Sequence, residues 1–135
     1  MNLEKAIKIA VKAHSGQLEK NGDPGILHPL RVMHNVKTNE EKIVAILHDV
    51  VEDSKLTFKD LKKAGFSDKI VTAIKSVSNL KGEEYLKFIK RASKNKIGRI
   101  VKIADTYDKI SLESTKKLSS RNLNKYKNAL EILQK

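Results

Sequence analysis

With 135 residues the chain is long enough to bury the core of one domain without a disulfide or structural metal, and 1–135 reads as a single domain. The absence of cysteine excludes thiolate zinc sites, disulfides and a cysteine nucleophile, which leaves imidazole, carboxylate and carbonyl groups as metal ligands and points any metal towards Mn, Fe or Zn. Lys and Arg number 28 against 16 Asp and Glu, a formal charge of +12 that favours polyanionic partners such as nucleotides, phosphates or RNA, although lysines spread along the whole chain are equally what solvated helix faces carry.

No apolar run reaches the ~18 residues of a membrane span, and the sequence opens on an amphipathic pattern rather than a signal peptide, so the expectation is a cytoplasmic protein. Leu3, Ala6, Ile7, Ala10, Val11 and His14 recur at helical spacing up to Ser15-Gly16. His14 lies on that buried stripe, where a histidine serves the core or supports a neighbouring group rather than ligating a metal. Residues 16–27 hold three glycines and a proline and form a loop. Proline is favoured at the first helical position, so His28-Pro29 sets His28 at or near the N-cap of a helix through Leu30, Val32, Met33 and Val36. His34, inside that helix, reads as structural.

Thr38 with Glu40 and Glu41 opens the next helix, and Ile43-Val44-Ala45-Ile46-Leu47-His48-Asp49-Val50-Val51-Glu52-Asp53 is apolar around nearly its whole circumference, as a central helix must be. A buried carboxylate demands a partner. As one helix this stretch stacks His48 on Glu52 and Asp49 on Asp53, with His48 and Asp49 reaching a common point from neighbouring sides. Thr57–Ala64, ended by Gly65, and Ser67 through Val77 read as two further capped helices. Glu83–Asn95 follows with Tyr85, Leu86, Phe88, Ile89 and Ala92 inward and Lys87, Lys90, Arg91 and Lys94 outward. From Lys96, Ile97, Ile100, Val101, Ile103, Ala104 and Tyr107 form a second strongly apolar helix that Asp105 interrupts. A last helix from about Ser120 carries Leu123, Tyr126, Leu130 and Leu133. With no strand-like alternation, the fold class is all-α.

His28, His48, Asp49 and Asp105 together make an oxygen- and nitrogen-rich set suited to one divalent metal with positions left open for water and substrate. Such an ion generates hydroxide near neutral pH and polarises a phosphoryl oxygen. Glu52 and Asp53, one turn beyond, are placed to orient or deprotonate the attacking water.

Ala13-His14-Ser15-Gly16-Gln17, Gly22-Asp23-Pro24 leading to His28-Pro29, Leu47-His48-Asp49-Val50-Val51-Glu52-Asp53-Ser54 and Lys102-Ile103-Ala104-Asp105 closely resemble the HD-domain metal-dependent phosphohydrolases, in their RelA/SpoT-type (p)ppGpp hydrolase branch. The resemblance runs from position 3 to about 112. It implies a helical bundle with a central metal, usually Mn²⁺ (Fe, Zn or Co fit the same ligands), held by His28, His48, Asp49 and Asp105, with Glu52 and Asp53 as the catalytic acids. The implied reaction removes the 3′-pyrophosphate of ppGpp or pppGpp.

Departures fall at the nucleotide pocket. The first residue of the family's basic pair is Glu19, leaving Lys20 as the remaining cation; the aromatic after the proline is Gly25; and the usual Arg-Leu-His-Asn is Thr106-Tyr107-Asp108-Lys109, with Lys109 placed to meet a phosphate. The expectation is a metal-dependent phosphohydrolase of a phosphorylated nucleotide, with (p)ppGpp 3′-pyrophosphohydrolysis leading. Two alternatives fit the same residues: a phosphohydrolase for another nucleotide or small phosphate ester, and a basic nucleotide- or RNA-binding protein with little catalysis. No residue pattern sets an oligomeric state.

Overall fold

The computed structural model describes residues 2–114 and 120–135. Asn2 accepts the Lys5 N–H at 3.2 Å and caps α1 (Leu3–Ala13), whose Ala6 and Ala10 are fully buried. Val11 is half exposed and lies off the expected stripe. The 16–27 loop doubles back on itself. Leu18 bridges Pro24, Glu19 N–H donates to the Asp23 carbonyl at 2.7 Å, and Gly25 N–H donates to that of Gln17 at 2.7 Å. Gly22 turns the corner at φ +90°, in the left-handed region that favours glycine. A Cβ on Gly25 would stand 3.1 Å from the Gln17 Cβ, so this tight return leaves little room for an aromatic there.

The second helix, α2 (Leu27–His34), starts two residues earlier than expected. Its N-cap is Ile26, which makes His28 the second helical residue and Pro29 the third, still within the turn whose N–H groups have no helical partner. Thr38 and Glu41 form a reciprocal capping box that starts α3 (Asn39–Leu47). Ile43 through Leu47 are fully buried. Because α1, α2 and two later helices, α6 (Asp68–Ser76) and α8 (Lys96–Ser114), all pack on it, α3 has no solvent face at this end, which is why its sequence is apolar all round.

The expected continuous helix to Asp53 breaks at His48–Asp49. The Ala45 carbonyl accepts both the His48 imidazole Nδ1–H at 2.6 Å and the His48 backbone N–H at 3.4 Å, and Asp49 adopts φ −103°, ψ 0° before α4 (Val50–Asp53). His48 and Glu52 therefore lie on either side of this break instead of on one continuous helix. A side chain that competes for a backbone acceptor is a known cause of helix interruption.

α5 (Phe58–Lys63) has a second capping box from Thr57 and Asp60 and stops at Gly65 with φ +105°. α6 (Asp68–Ser76), α7 (Tyr85–Ser93), α8 (Lys96–Ser114) and α9 (Ser120–Leu133) follow the periodicities read from the sequence. Three side chains do not. Leu86 and Tyr107 are exposed, and Arg91 does not simply point to solvent: it bonds Glu83 and the carbonyls of Lys75 and Ser78, tying α7 to the end of α6. Two apolar clusters result, one around α3 and one of Phe88, Ile89, Ala92, Ala129 and Leu133. α8 serves both, giving Val101 and Ala104 to the first and Ile103 to the second. Among the described residues no helix is long and apolar enough to cross a membrane.

Candidate metal centre

Three elements deliver the four metal-ligand candidates to one point. α2 brings His28 at its first turn, the α3–α4 break brings His48 and Asp49, and α8 brings Asp105 at mid-length. His28 Nε2 lies 2.9 Å from Asp105 Oδ1 and 3.7 Å from Asp49 Oδ2; His48 Nε2 lies 3.1 Å from Asp49 Oδ2 and 3.5 Å from Asp105 Oδ1. The two imidazoles meet edge to face, with centroids 5.2 Å apart. His48 and Asp105 are 1% exposed, whereas Asp49 is 24% exposed, so the cluster is closed on one side and open on the other.

The orientation of the atoms favours a cation. Both Nδ1 atoms are engaged outward, His48 on the Ala45 carbonyl and His28 on Asp108 Oδ2 at 2.6 Å, which directs the Nε2 atoms inward. Asp105 divides its oxygens similarly: Oδ2 accepts from Lys102 Nζ at 2.7 Å and lies 3.5 Å from Lys109 Nζ, while Oδ1 faces the imidazoles. His28 Nε2, His48 Nε2 and Asp105 Oδ1 are all buried without a hydrogen-bond partner. Buried polar atoms are rarely left so, and three converging on one spot fit a divalent ion. His28, His48 and Asp49 each offer an atom within 4.8 Å of the others.

The electrostatics are those of a site built for positive charge. Burial works to lower the pKa of His48, but the charges of Asp49 and Asp105 outweigh it and hold it well above the ordinary value. Burial acts in the same direction on His28, where the Asp105 carboxylate 2.9 Å away and the hydrogen bond to Asp108 leave the pKa raised. Burial would raise both aspartates. The His48 charge instead keeps Asp49 well below the usual range, and Lys102, Lys109 and His48 do the same for Asp105.

Glu52 and Asp53 stand on α4 at the exposed rim. Partial burial pushes the pKa of Glu52 up, opposed by the Asn79 N–H that its Oε1 accepts; burial and then the Asp49 charge push Asp53 up. His14 is buried but donates from Nδ1 to Gln17 Oε1 at 2.8 Å rather than touching the four, and Gln17 Nε2 in turn donates to the Asp53 carbonyl at 2.7 Å. It thus braces α4. Lys109, beside Asp105, has its pKa raised, chiefly by the Asp105 charge. Lys20 is exposed in the turn of the 17–25 loop.

Sequence reasoning passed over Asp108, Arg31 and Lys102 as members of this site. Each lies three residues from a ligand candidate on a helix (Asp105 to Asp108, His28 to Arg31, Lys102 to Asp105), and that spacing was the signal available. Asp108 accepts from Arg31 Nε at 2.8 Å, and Arg31 Nη2 reaches Glu19 Oε1 at 2.5 Å. Glu19, where the resemblance implies a basic residue, is therefore part of an ion-pair chain.

An all-helical bundle that gathers two histidines and two aspartates around one point from these three places is the arrangement that the resemblance to the HD-domain class of metal-dependent phosphohydrolases implies. Within that class the likeness is to the (p)ppGpp hydrolase branch. The chain is 25% identical over 92% of its length to the guanosine-3′,5′-bis(diphosphate) 3′-pyrophosphohydrolase of Aquifex aeolicus and 34% identical over 58% of its length to the bifunctional (p)ppGpp synthase/hydrolase SpoT of Escherichia coli. It spans only 20% and 12% of the length of those two proteins. A solved structure of a metazoan SpoT ortholog, described as hydrolysing ppGpp, superposes with a TM-score of 0.85 over 97% of this chain and 84% of that one at 20% identity, which establishes the shared fold. No family model matches the chain.

Proposed function

We propose that this chain is a metal-dependent phosphohydrolase of a phosphorylated nucleotide, with guanosine-3′,5′-bis(diphosphate) as its leading substrate. Water would displace the 3′-pyrophosphate, yielding GDP and pyrophosphate, or GTP and pyrophosphate from pppGpp. The observation that carries this reading is the convergence of His28 Nε2, His48 Nε2 and Asp105 Oδ1, buried and unpartnered, beside the half-open Asp49 carboxylate. The similarity to ppGpp hydrolases supports the choice of substrate.

His28, His48, Asp49 and Asp105 would hold the ion, and Mn²⁺ suits this mixed imidazole–carboxylate set. When bound, a divalent ion supplies Lewis-acid chemistry suited to phosphoryl transfer. The protein's own groups do the rest. Lys102 occupies Asp105 Oδ2, which keeps Oδ1 turned inward. Glu52, with one oxygen steadied by the Asn79 N–H, takes the proton of the attacking water, and its raised pKa makes it a better base than an ordinary glutamate. Asp53 lies beside it, and Gln17 fixes that turn through the Asp53 carbonyl. Lys109 stays charged next to the centre and offers its ammonium to the leaving pyrophosphate.

One observation favours a different nucleotide. Glu19 is already paired with Arg31, so position 19 supplies no cation to stack on a guanine, a contact worth about 1–3 kcal/mol. Incubating the Mn²⁺-loaded protein with ppGpp, pppGpp and a panel of other nucleotides and phosphate esters separates the readings. Pyrophosphate release from ppGpp is the expected result. Release from another substrate alone would move the specificity, and binding of anions without turnover of any would make this a binding protein.

A further inference from the structure

We propose that Asp108 is a positioning residue for His28, and that Arg31 and Glu19 brace it so that the loop at 17–25, α2 and α8 jointly set the direction of one metal-facing nitrogen. The inference rests on the reading of His28 as a metal ligand given above.

The chain of contacts is continuous. His28 Nδ1 donates to Asp108 Oδ2 at 2.6 Å; Arg31 Nε and Nη2 donate to Asp108 Oδ1 and Oδ2 at 2.8 and 3.1 Å; Arg31 Nη2 also donates to Glu19 Oε1 at 2.5 Å. The Asp108 and Glu19 side chains are 7% and 8% exposed, and Arg31, at 35%, covers both carboxylates from the solvent side.

A neutral imidazole coordinates only through the nitrogen that carries no hydrogen. A carboxylate accepts but never donates. In the neutral imidazole that takes an ion, Asp108 therefore keeps the hydrogen on Nδ1, and Nε2, the atom facing Asp105 and Asp49, carries the lone pair. Two guanidinium donors hold the Asp108 carboxylate in one plane, and Glu19 holds the third contact of the guanidinium, which stops Arg31 from swinging away. His48 needs no such device because a backbone carbonyl holds its Nδ1. The difference follows from location: His48 sits at the helix break inside the core, three residues after the carbonyl it takes, whereas His28 sits on the first turn of its helix and takes a side chain from α8.

Glu19, His28 and Asp108 also offer one atom each within 4.8 Å of one another, a geometry that by itself resembles a second metal site. The Arg31 guanidinium already provides the cation between the two carboxylates, and the imidazole contributes its hydrogen-bearing side, so this trio serves the first site.

Isothermal titration of Mn²⁺ into the wild-type protein and into Asp108→Asn, Asp108→Ala, Glu19→Gln and His28→Ala variants tests this, alongside ¹⁵N NMR of the His28 tautomer and melting of the metal-free proteins. Loss of the carboxylate should weaken Mn²⁺ binding about 10- to 100-fold in Asp108→Ala. Asp108→Asn, nearly isosteric and still able to accept, should lose less and should shift the His28 hydrogen away from exclusive residence on Nδ1, while Glu19→Gln shows the smallest loss. Wild-type affinity in both Asp108 variants, with His28→Ala weakened, would overturn the positioning role and leave the proposed function standing. Affinity losses that merely follow melting temperature, with the tautomer unchanged, would also overturn it by reducing Asp108 to a structural residue. If the wild-type protein takes up no Mn²⁺, both readings fail.

Discussion

A carboxylate buried among isoleucines and valines must be compensated, and at Asp105 the compensation is divided between its two oxygens. Lys102 serves one, and the site serves the other. Lys102 is itself almost wholly buried, its Nζ lies 4.7 Å from the centre of the Phe88 ring, and burial lowers its pKa against the pull of Asp105. Replacing Lys102 with Met strands a buried negative charge that Lys109 at 3.5 Å only partly answers, and urea denaturation should show a loss of about 3 kcal/mol. Glu52 calls for a different measurement. A base with a raised pKa is unprotonated only above that value, so the turnover rate should rise with pH along a limb whose midpoint lies above that of an ordinary glutamate. Glu52→Gln should remove that limb and lower turnover about 10²- to 10⁴-fold while Mn²⁺ uptake, measured by titration, persists. The carboxylates and His28 were legible in the sequence because an acid inside an apolar run, or an imidazole beside a helix-starting proline, stands out against its neighbours. Asp108 and Arg31 were not, since their pairing joins residues distant in the chain and each alone looks like a solvated helix charge.

The elements were readable for the same reason their boundaries were: Thr38, Thr57 and Ser67 put side-chain oxygens where helix N–H groups need them. The interruption at His48–Asp49 was hidden. It depends on one imidazole taking a backbone carbonyl, which no periodicity records, and it is what turns two adjacent residues towards a common point. A second unmarked feature is the crossing of α6 and α8 at Gly98. A Cβ there would stand 2.0 Å from Ser76 Oγ and 3.2 Å from Ser76 Cβ, and that hydroxyl is held by the Ala73 carbonyl at 2.6 Å. Gly98→Ala should therefore cost about 1–3 kcal/mol by thermal or chemical unfolding despite the better helix propensity of alanine. Adding Ser76→Ala, which removes the nearest atom, should recover part of the loss.

For the whole molecule, the centre links stability to both metal and pH. Without a metal, His28 and His48 have folded-state pKa values above the unfolded one, so their stabilisation is complete below the ordinary imidazole pKa and is lost as pH rises through the raised values. A divalent ion competes for the same nitrogens and should reverse the trend. Thermal melts across this range should show the metal-free protein weakening on the alkaline side, where added Mn²⁺ has its largest effect; at a hundredfold excess over the dissociation constant the gain is about 2.7 kcal/mol. Fold class was the most legible property, because nearly every segment carried a helical period. The role of the basic charge was the least, because a lysine on a helix face looks alike whether it meets solvent or phosphate. α8 has a further consequence for motion. A helix shared by two apolar clusters cannot loosen in one without disturbing the other, so backbone amide exchange around Asp105 should report on the docking of α7 and α9 as faithfully as on the centre itself.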